Sequence, residues 1–201
     1  TKLMTAHIIM TEHELSEVVT IQNIASNTDG STMNLKSNDQ LTVYQLLQGL
    51  LINSGNDAAV ALAIHNSQSV PKFVAKMNLY AKMLNLKNTS FQNPMGFDHP
   101  NNYSTAQDLL KLSKICLDNN TISQISQTKT VSIKSKLGII YKLKNTNSEL
   151  QNYLQVTGLK TGKTPQAREC FIGTNQEKHL SIVLNSKNRF LDTKNLLDWS
   201  K

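Results

Sequence analysis

Three groups of residues in this chain have types and spacing that suit a chemical site. Ser54, Gly55, Asn56 and Asp57 interrupt the apolar stretch from Leu50 to Ala63, LLINSGNDAAVALA. A hydroxyl and an amide set between two core-seeking segments cost free energy unless they find partners, which marks them as candidates for a site. The same four residues also fit a plain helix-to-helix turn, with Gly55 breaking the first helix and Asn56 or Asp57 capping the second. Lys160, Thr161 and Gly162 come at the end of a strand-like stretch. An ammonium, a hydroxyl and a glycine that admits a close backbone suit a bound peptide ending in a carboxylate. Lys2 opens the most apolar helix of the chain. A lysine so placed either reaches back to solvent or loses its proton easily, and a neutral amine is a usable general base.

These residues need elements to hold them. Leu3 to Met10 is apolar almost throughout, the pattern of a helix in the middle of a domain. Val18 to Ile24 reads as a short strand, Asp29 to Ser31 as a turn, and Lys36 to Asp39 as a second turn with Asn38 suited to a left-handed conformation. Thr42 starts a helix whose Leu46, Leu47, Leu50 and Leu51 form one buried face and lead to Ser54. Ser69 to Leu86 is helical, with Pro71 in its first turn and Phe73, Met77, Tyr80, Met83 and Leu84 on its inner stripe. Asn88 to Tyr103 is a polar loop of functional length. Ser104 with Gln107 forms a capping box for a helix through Leu109, Leu112, Ile115 and Leu117.

Residues 128 to 143 alternate as strands around a turn at Gly138. Val156 to Thr161, Glu169 to Gly173 and Leu180 to Leu184 read as strands again. Asp192 caps a last helix that turns Leu196, Leu197 and Trp199 inward.

Composition narrows the function classes. The chain has 201 residues, a net charge of +7 and only 5% aromatics. Its lysines are scattered and no aromatics alternate with Arg, so no nucleic-acid partner is expected. No run approaches the roughly 20 apolar residues of a membrane span, so a membrane association would come only through an anchor outside these residues. Cys116 and Cys170 are too few for a disulfide framework and read as two buried thiols. His7 and His13 lack the i, i+4 spacing of a helical metal pair, and Glu12-His13-Glu14 is not HExxH, so neither metal nor cofactor is expected.

In their order, Lys2 at the head of an apolar helix, then Ser54-Gly55-Asn56, then Lys160-Thr161-Gly162 resemble the S-x-x-K, S-x-N and K-T-G signatures of the penicillin-recognising serine acyl-transferases. The phrase MNLYAKMLNLKNTSFQNPMGFDHPNNYSTAQDL from Met77 to Leu109, GLKTGKT from Gly158 to Thr164 and RFLDTKNLLDW from Arg189 to Trp199 resemble the D-alanyl-D-alanine carboxypeptidases among the low-molecular-mass penicillin-binding proteins. The likeness runs over essentially the whole chain.

The resemblance implies an α/β (α+β) fold of the β-lactamase/transpeptidase type, an antiparallel sheet flanked by helices on both faces plus a helical subdomain. It implies a bacterial enzyme facing the cell wall that removes the terminal D-alanine of peptidoglycan stem peptides through an acyl-enzyme and is inhibited by β-lactams. Lys2 would be the general base for the nucleophile, Ser54 would relay a proton to the leaving amine, and Asn56 would hold the substrate amide. Lys160 and Thr161, with Gly162, would bind the terminal carboxylate. The motif's serine stands three residues before its lysine, outside this sequence. Residues 1–201 are therefore expected to be a catalytic domain lacking that serine and its N-terminal strands, clipped from a longer enzyme. The alternatives are a relative without the nucleophile that only binds muropeptides, and a β-lactamase. The latter would need a deacylating carboxylate where the Asn88–Tyr103 loop offers Asp98 but no Glu.

Overall fold

The helix that carries Lys2, α1 (Lys2–Glu12), buries Leu3, Met4, Thr5, Ala6, Ile8 and Ile9. A helix with apolar residues on every side must be surrounded, and α1 packs against α3 (Val43–Leu51), α4 (Asn56–Ser67), α5 (Val70–Met83) and α6 (Ala106–Asp118). Each fully buried Met or Ile there contributes about 1.5–3 kcal/mol relative to exposure. The computed structural model describes residues 1–147 and 156–200. Among these no helix is long and apolar enough to cross a membrane.

The remaining elements are short β1 (Val18–Thr20), one turn of helix α2 (Asn23–Ser26), β2 (Gln40–Thr42), α7 (Asn120–Gln127), the pair β3 (Thr130–Lys134) and β4 (Ile140–Lys144), the strands β5 (Gly158–Thr164), β6 (Arg168–Thr174) and β7 (Leu180–Ser186), and α8 (Arg189–Trp199). All strand pairing among the described residues is antiparallel: β1 with β2, β3 with β4, and a three-stranded sheet in the order β5-β6-β7. Neighbouring residues of β6 point to opposite faces of this sheet. A Cβ on Gly173 would meet Thr193 of α8, whereas Gly158, paired with Thr174, faces Ser126 of α7. The sheet is thus covered by helices on both faces, the arrangement expected from the sequence. Its α7 side joins the main core through Ile172. On the α8 side Val156, Phe171 and Leu197 form a small separate cluster with Phe190.

Local sequence accounts for several ends. Thr42 caps α3 in a full capping box with Gln45, and Asn38 takes the expected left-handed conformation at φ 64°. Ser69 caps α5 by accepting from the Lys72 amide, with Pro71 in the first turn. Gly138, at φ 83°, turns between β3 and β4.

Other expectations are corrected. β1 stops at Thr20, and Ile24 lies in α2 and is exposed. Thr105 rather than Ser104 caps α6, because Ser104 is bonded to Thr89 and Thr105 accepts from the Asp108 amide. The Asp108 carboxylate faces away from that cap, accepting from the Asn88 amide and the Thr89 hydroxyl to pin the start of the loop. Met83 is exposed, since α5 turns Ala81 rather than Met83 into the core. Asn188 caps α8, and Asp192 instead accepts from the Ser186 hydroxyl. Only Leu197 of the predicted inner trio is buried: Leu196 is 43% and Trp199 87% exposed. Both thiols are free, and only Cys116 is buried; Cys170 is half-buried.

Candidate active site

α3 ends at Leu51 and α4 begins at Asn56, so the break falls before Gly55, which is the N-cap of α4 but supplies no side chain. The reversal is made at Ser54, which holds φ 58°. That left-handed conformation is unusual for a residue with a Cβ and persists only where the surroundings fix it. Here they do: the Gly55 amide donates to the Gly49 carbonyl at 2.9 Å and the Asn56 amide to the Ser31 carbonyl at 2.7 Å. A Cβ on Gly55 would lie 3.0 Å from Asp57 and 3.1 Å from the Gly49 carbonyl, so a larger residue would make the neighbours give by a few tenths of an ångström.

Asn56 and Asp57 face inward rather than capping α4. Asn56 donates to the Asp29 carbonyl at 2.8 Å through Nδ2 and accepts from Lys2 Nζ at 2.8 Å through Oδ1. The buried Asp57 carboxylate accepts three backbone N–H groups, from Met33, Leu35 and Ala58. It thereby ties the 29–35 segment beneath the motif.

Lys2 Nζ also donates to the Met95 carbonyl at 2.7 Å. A neutral amine has two hydrogens and one lone pair. With both hydrogens directed at Asn56 and Met95, the lone pair is left for a third partner. Burial pulls the Lys2 pKa down to about 8, and the Asp57 carboxylate acts in the opposite sense.

Lys160 extends from β5, is 9% exposed, and donates to the Thr161 carbonyl at 2.9 Å. Burial holds its pKa well below the ordinary lysine value, and the charges of Lys2 and Arg189 lower it further. The Thr161 and Thr146 hydroxyls are 2.6 Å apart. A Cβ on Gly162 would meet nothing closer than Cys170 at 3.9 Å, so the strand is open on that side.

Lys2, Ser54, Asn56, Lys160, Thr161 and Gly162 all line one groove of about 450 Å³. All six residues singled out in the sequence thus come together. The Ser54 hydroxyl has no hydrogen-bond partner among the described residues and opens onto the groove. Sequence reading missed the Met95 carbonyl, set Asp57 among the candidates without the buried role it takes, and left the part of Arg189 open. The last donates to the Gly162 carbonyl at 2.9 Å and lies 4.8 Å above the Phe190 ring. A backbone carbonyl leaves no trace in a sequence, but Asp57 did have a signal, a charge inside an otherwise apolar run. Asp98 is engaged elsewhere: its carboxylate accepts from the Thr164 hydroxyl at 2.6 Å and the Gln166 amide at 3.1 Å, joining the loop to the β5–β6 hairpin.

A family model described as D-alanyl-D-alanine carboxypeptidase matches residues 1–188. The chain belongs to this family. It is 35% identical to the D-alanyl-D-alanine carboxypeptidase DacF of Bacillus subtilis over 188 residues, which cover 91% of this chain and 48% of that protein. It is 37% identical to the D-alanyl-D-alanine carboxypeptidase of Streptomyces sp. K15, over 86% of this chain and 65% of that one. The chain therefore spans about half to two thirds of these relatives' length. The crystal structure of the Streptomyces K15 DD-transpeptidase superposes with a TM-score of 0.90 at 33% identity, covering 98% of this chain and 84% of that one. The D-alanyl-D-alanine carboxypeptidase of Mycobacterium tuberculosis superposes at 0.88 with 28% identity. The β-lactamase/transpeptidase-like architecture is thus that of the D-alanyl-D-alanine carboxypeptidase family.

Proposed function

We propose that residues 1–201 belong to the catalytic domain of a serine-type D-alanyl-D-alanine carboxypeptidase that acts outside the cytoplasm on peptidoglycan stem peptides and is acylated by penicillins. The observation that carries this reading is the convergence of Lys2, Ser54, Asn56, Lys160 and Thr161 on one groove. The serine of the family motif stands three residues before its lysine, at a position outside these residues. Lys2 receives that serine's proton on its free lone pair as the hydroxyl attacks the carbonyl of the penultimate D-alanine. Asn56 presents its amide to the substrate backbone while holding Lys2 in place. The Ser54 hydroxyl passes a proton to the departing amine of the terminal D-alanine. Water then hydrolyses the acyl-enzyme.

Lys160, Thr161 and Arg189 form the end that receives the terminal carboxylate. Arg189 and the ammonium form of Lys160 give the groove a positive potential that draws an anionic peptide end. Gly162 leaves the β5 strand open for a substrate backbone to lie beside it.

The test uses the full-length protein and fluorescent penicillin. Covalent labelling of a serine three residues before Lys2, lost in Lys160→Ala, is expected. A different residue at that position would contradict the reading, and labelling that persists in Lys160→Ala would displace the carboxylate site. Fast turnover of nitrocefin would make the protein a β-lactamase instead.

A further inference from the structure

At the ends of α1 and α4 remote from the groove, a second cluster assembles from two segments far apart in the chain. His13 is the C-cap of α1, Glu17 follows in the turn before β1, and His65 lies in the last turn of α4. Nδ1 of His13 is 2.8 Å and Nε2 of His65 3.1 Å from the same Glu17 oxygen, Oε2. The two imidazole rings are 4.8 Å apart between centroids. All three donor atoms lie within 4.8 Å of one another, on half-buried side chains that remain reachable from solvent.

We propose that His13, Glu17 and His65 bind one zinc ion, which bolts the far ends of α1 and α4 together. Two imidazoles and a carboxylate are a donor set suited to zinc, with water completing a tetrahedron. Zinc–ligand bonds of about 2.0–2.1 Å place tetrahedral donors roughly 3.3 Å apart, so the two nitrogen-to-oxygen separations are already close to those of a filled site. The C-terminal ends of α1 and α4 both lie at the cluster, and the negative ends of their dipoles favour a cation there. Beside the trio, Asn66 Nδ2 lies 3.0 Å from the other His13 nitrogen and 2.7 Å from Glu12.

The proton accounting is simple. Each ring keeps one hydrogen, which moves from the nitrogen that faces Glu17 to the nitrogen that faces away. His13 then carries its hydrogen on Nε2, and the Asn66 amide keeps its bond to Glu12 and gives up the one to His13. No bond to carbon changes and no electron is transferred.

The consequence reaches the groove through the helices alone. α1 begins with Lys2 and α4 with Asn56, the pair joined at 2.8 Å. A metal at the opposite ends fixes the spacing of the two helices and hence of that pair. Sequence spacing misses this site because its third donor comes from a different helix, 52 positions after His13.

The test uses the full-length protein stripped with EDTA and dialysed, then titrated with zinc chloride alone and melted with and without it. One equivalent should bind. At zinc a hundredfold above its dissociation constant, Tm should rise by roughly 5–10 °C. Cobalt chloride should produce the visible absorption of a four-coordinate ion. Glu17→Gln and His65→Gln should each abolish binding, the Tm rise and the cobalt spectrum. Glu17 is exposed enough that its variant should fold even if the other does not. Absence of binding at millimolar zinc would reduce the trio to a hydrogen-bonded staple and overturn the proposal, as would binding that survives both substitutions. Neither result bears on the penicillin-labelling test of the groove.

Discussion

The two sides of the groove are built differently. Lys2, Ser54 and Asn56 are held from the helical body, where α1, α3 and α4 bury nearly every apolar residue they carry. Lys160 and Thr161 are held by strand register, on a sheet whose outer face, among the described residues, is covered by α8 and the cluster of Val156, Phe171 and Leu197. α8 leaves Leu191, Leu196 and Trp199 exposed. The Lys2 side therefore depends on close packing, the Lys160 side on hydrogen-bond ladders and charge. Changes deep in the helical body should cost stability, whereas changes on the outer face of α8 should cost little.

The largest effect separates chemistry from packing. In the full-length protein, Lys2→Ala should slow penicillin acylation by a factor on the order of 10³ or more, because members of a catalytic unit fail together. Stopped-flow acylation rates measure this, and a drop below tenfold would move the general base elsewhere. Next, Ile8→Ala, in the centre of α1, should destabilise by about 2–5 kcal/mol in urea unfolding, through lost burial and the cavity it leaves. A neutral result would mean that α1 is not the helix around which the body packs.

Asp57→Asn should cost roughly 1–3 kcal/mol, since an amide cannot replace a carboxylate that accepts three backbone N–H groups. It should also lower the Lys2 pKa, because the Asp57 charge raises it. Urea unfolding and an NMR titration of the lysine side chains report the two parts separately. Smallest of all, Trp199→Ala should change stability by less than about 0.5 kcal/mol, as expected of a surface side chain. A large loss would show that α8 packs more tightly than its exposure indicates.

The same contrast explains what could be read from the sequence. α1 was legible because Leu3, Met4, Ile8 and Ile9 leave no polar face, and the α3–α4 break because small polar residues interrupt an apolar run. The six groove residues were legible because short motifs keep their order along the chain. α8 misled because Leu196, Leu197 and Trp199 look like an inward stripe, yet the sheet it covers is narrow and accepts only Leu197. Asp192 and Ser104 looked like caps because residue type favours them there, but neighbouring side chains had claimed their oxygens. Contacts made across long separations, such as Asp57 with Met33 and Leu35 or His65 with Glu17, have no local pattern at all. They become visible only when the helices are placed.

The most direct test of a groove built on a neutral amine is the pH dependence of penicillin acylation in the full-length protein. With the Lys2 pKa lowered to about 8, the unprotonated fraction, and with it the rate, should rise with pH through about 8 and then level off. A rate that is flat across that range, or one that keeps rising toward the ordinary lysine value of about 10.4, would contradict Lys2 as the base.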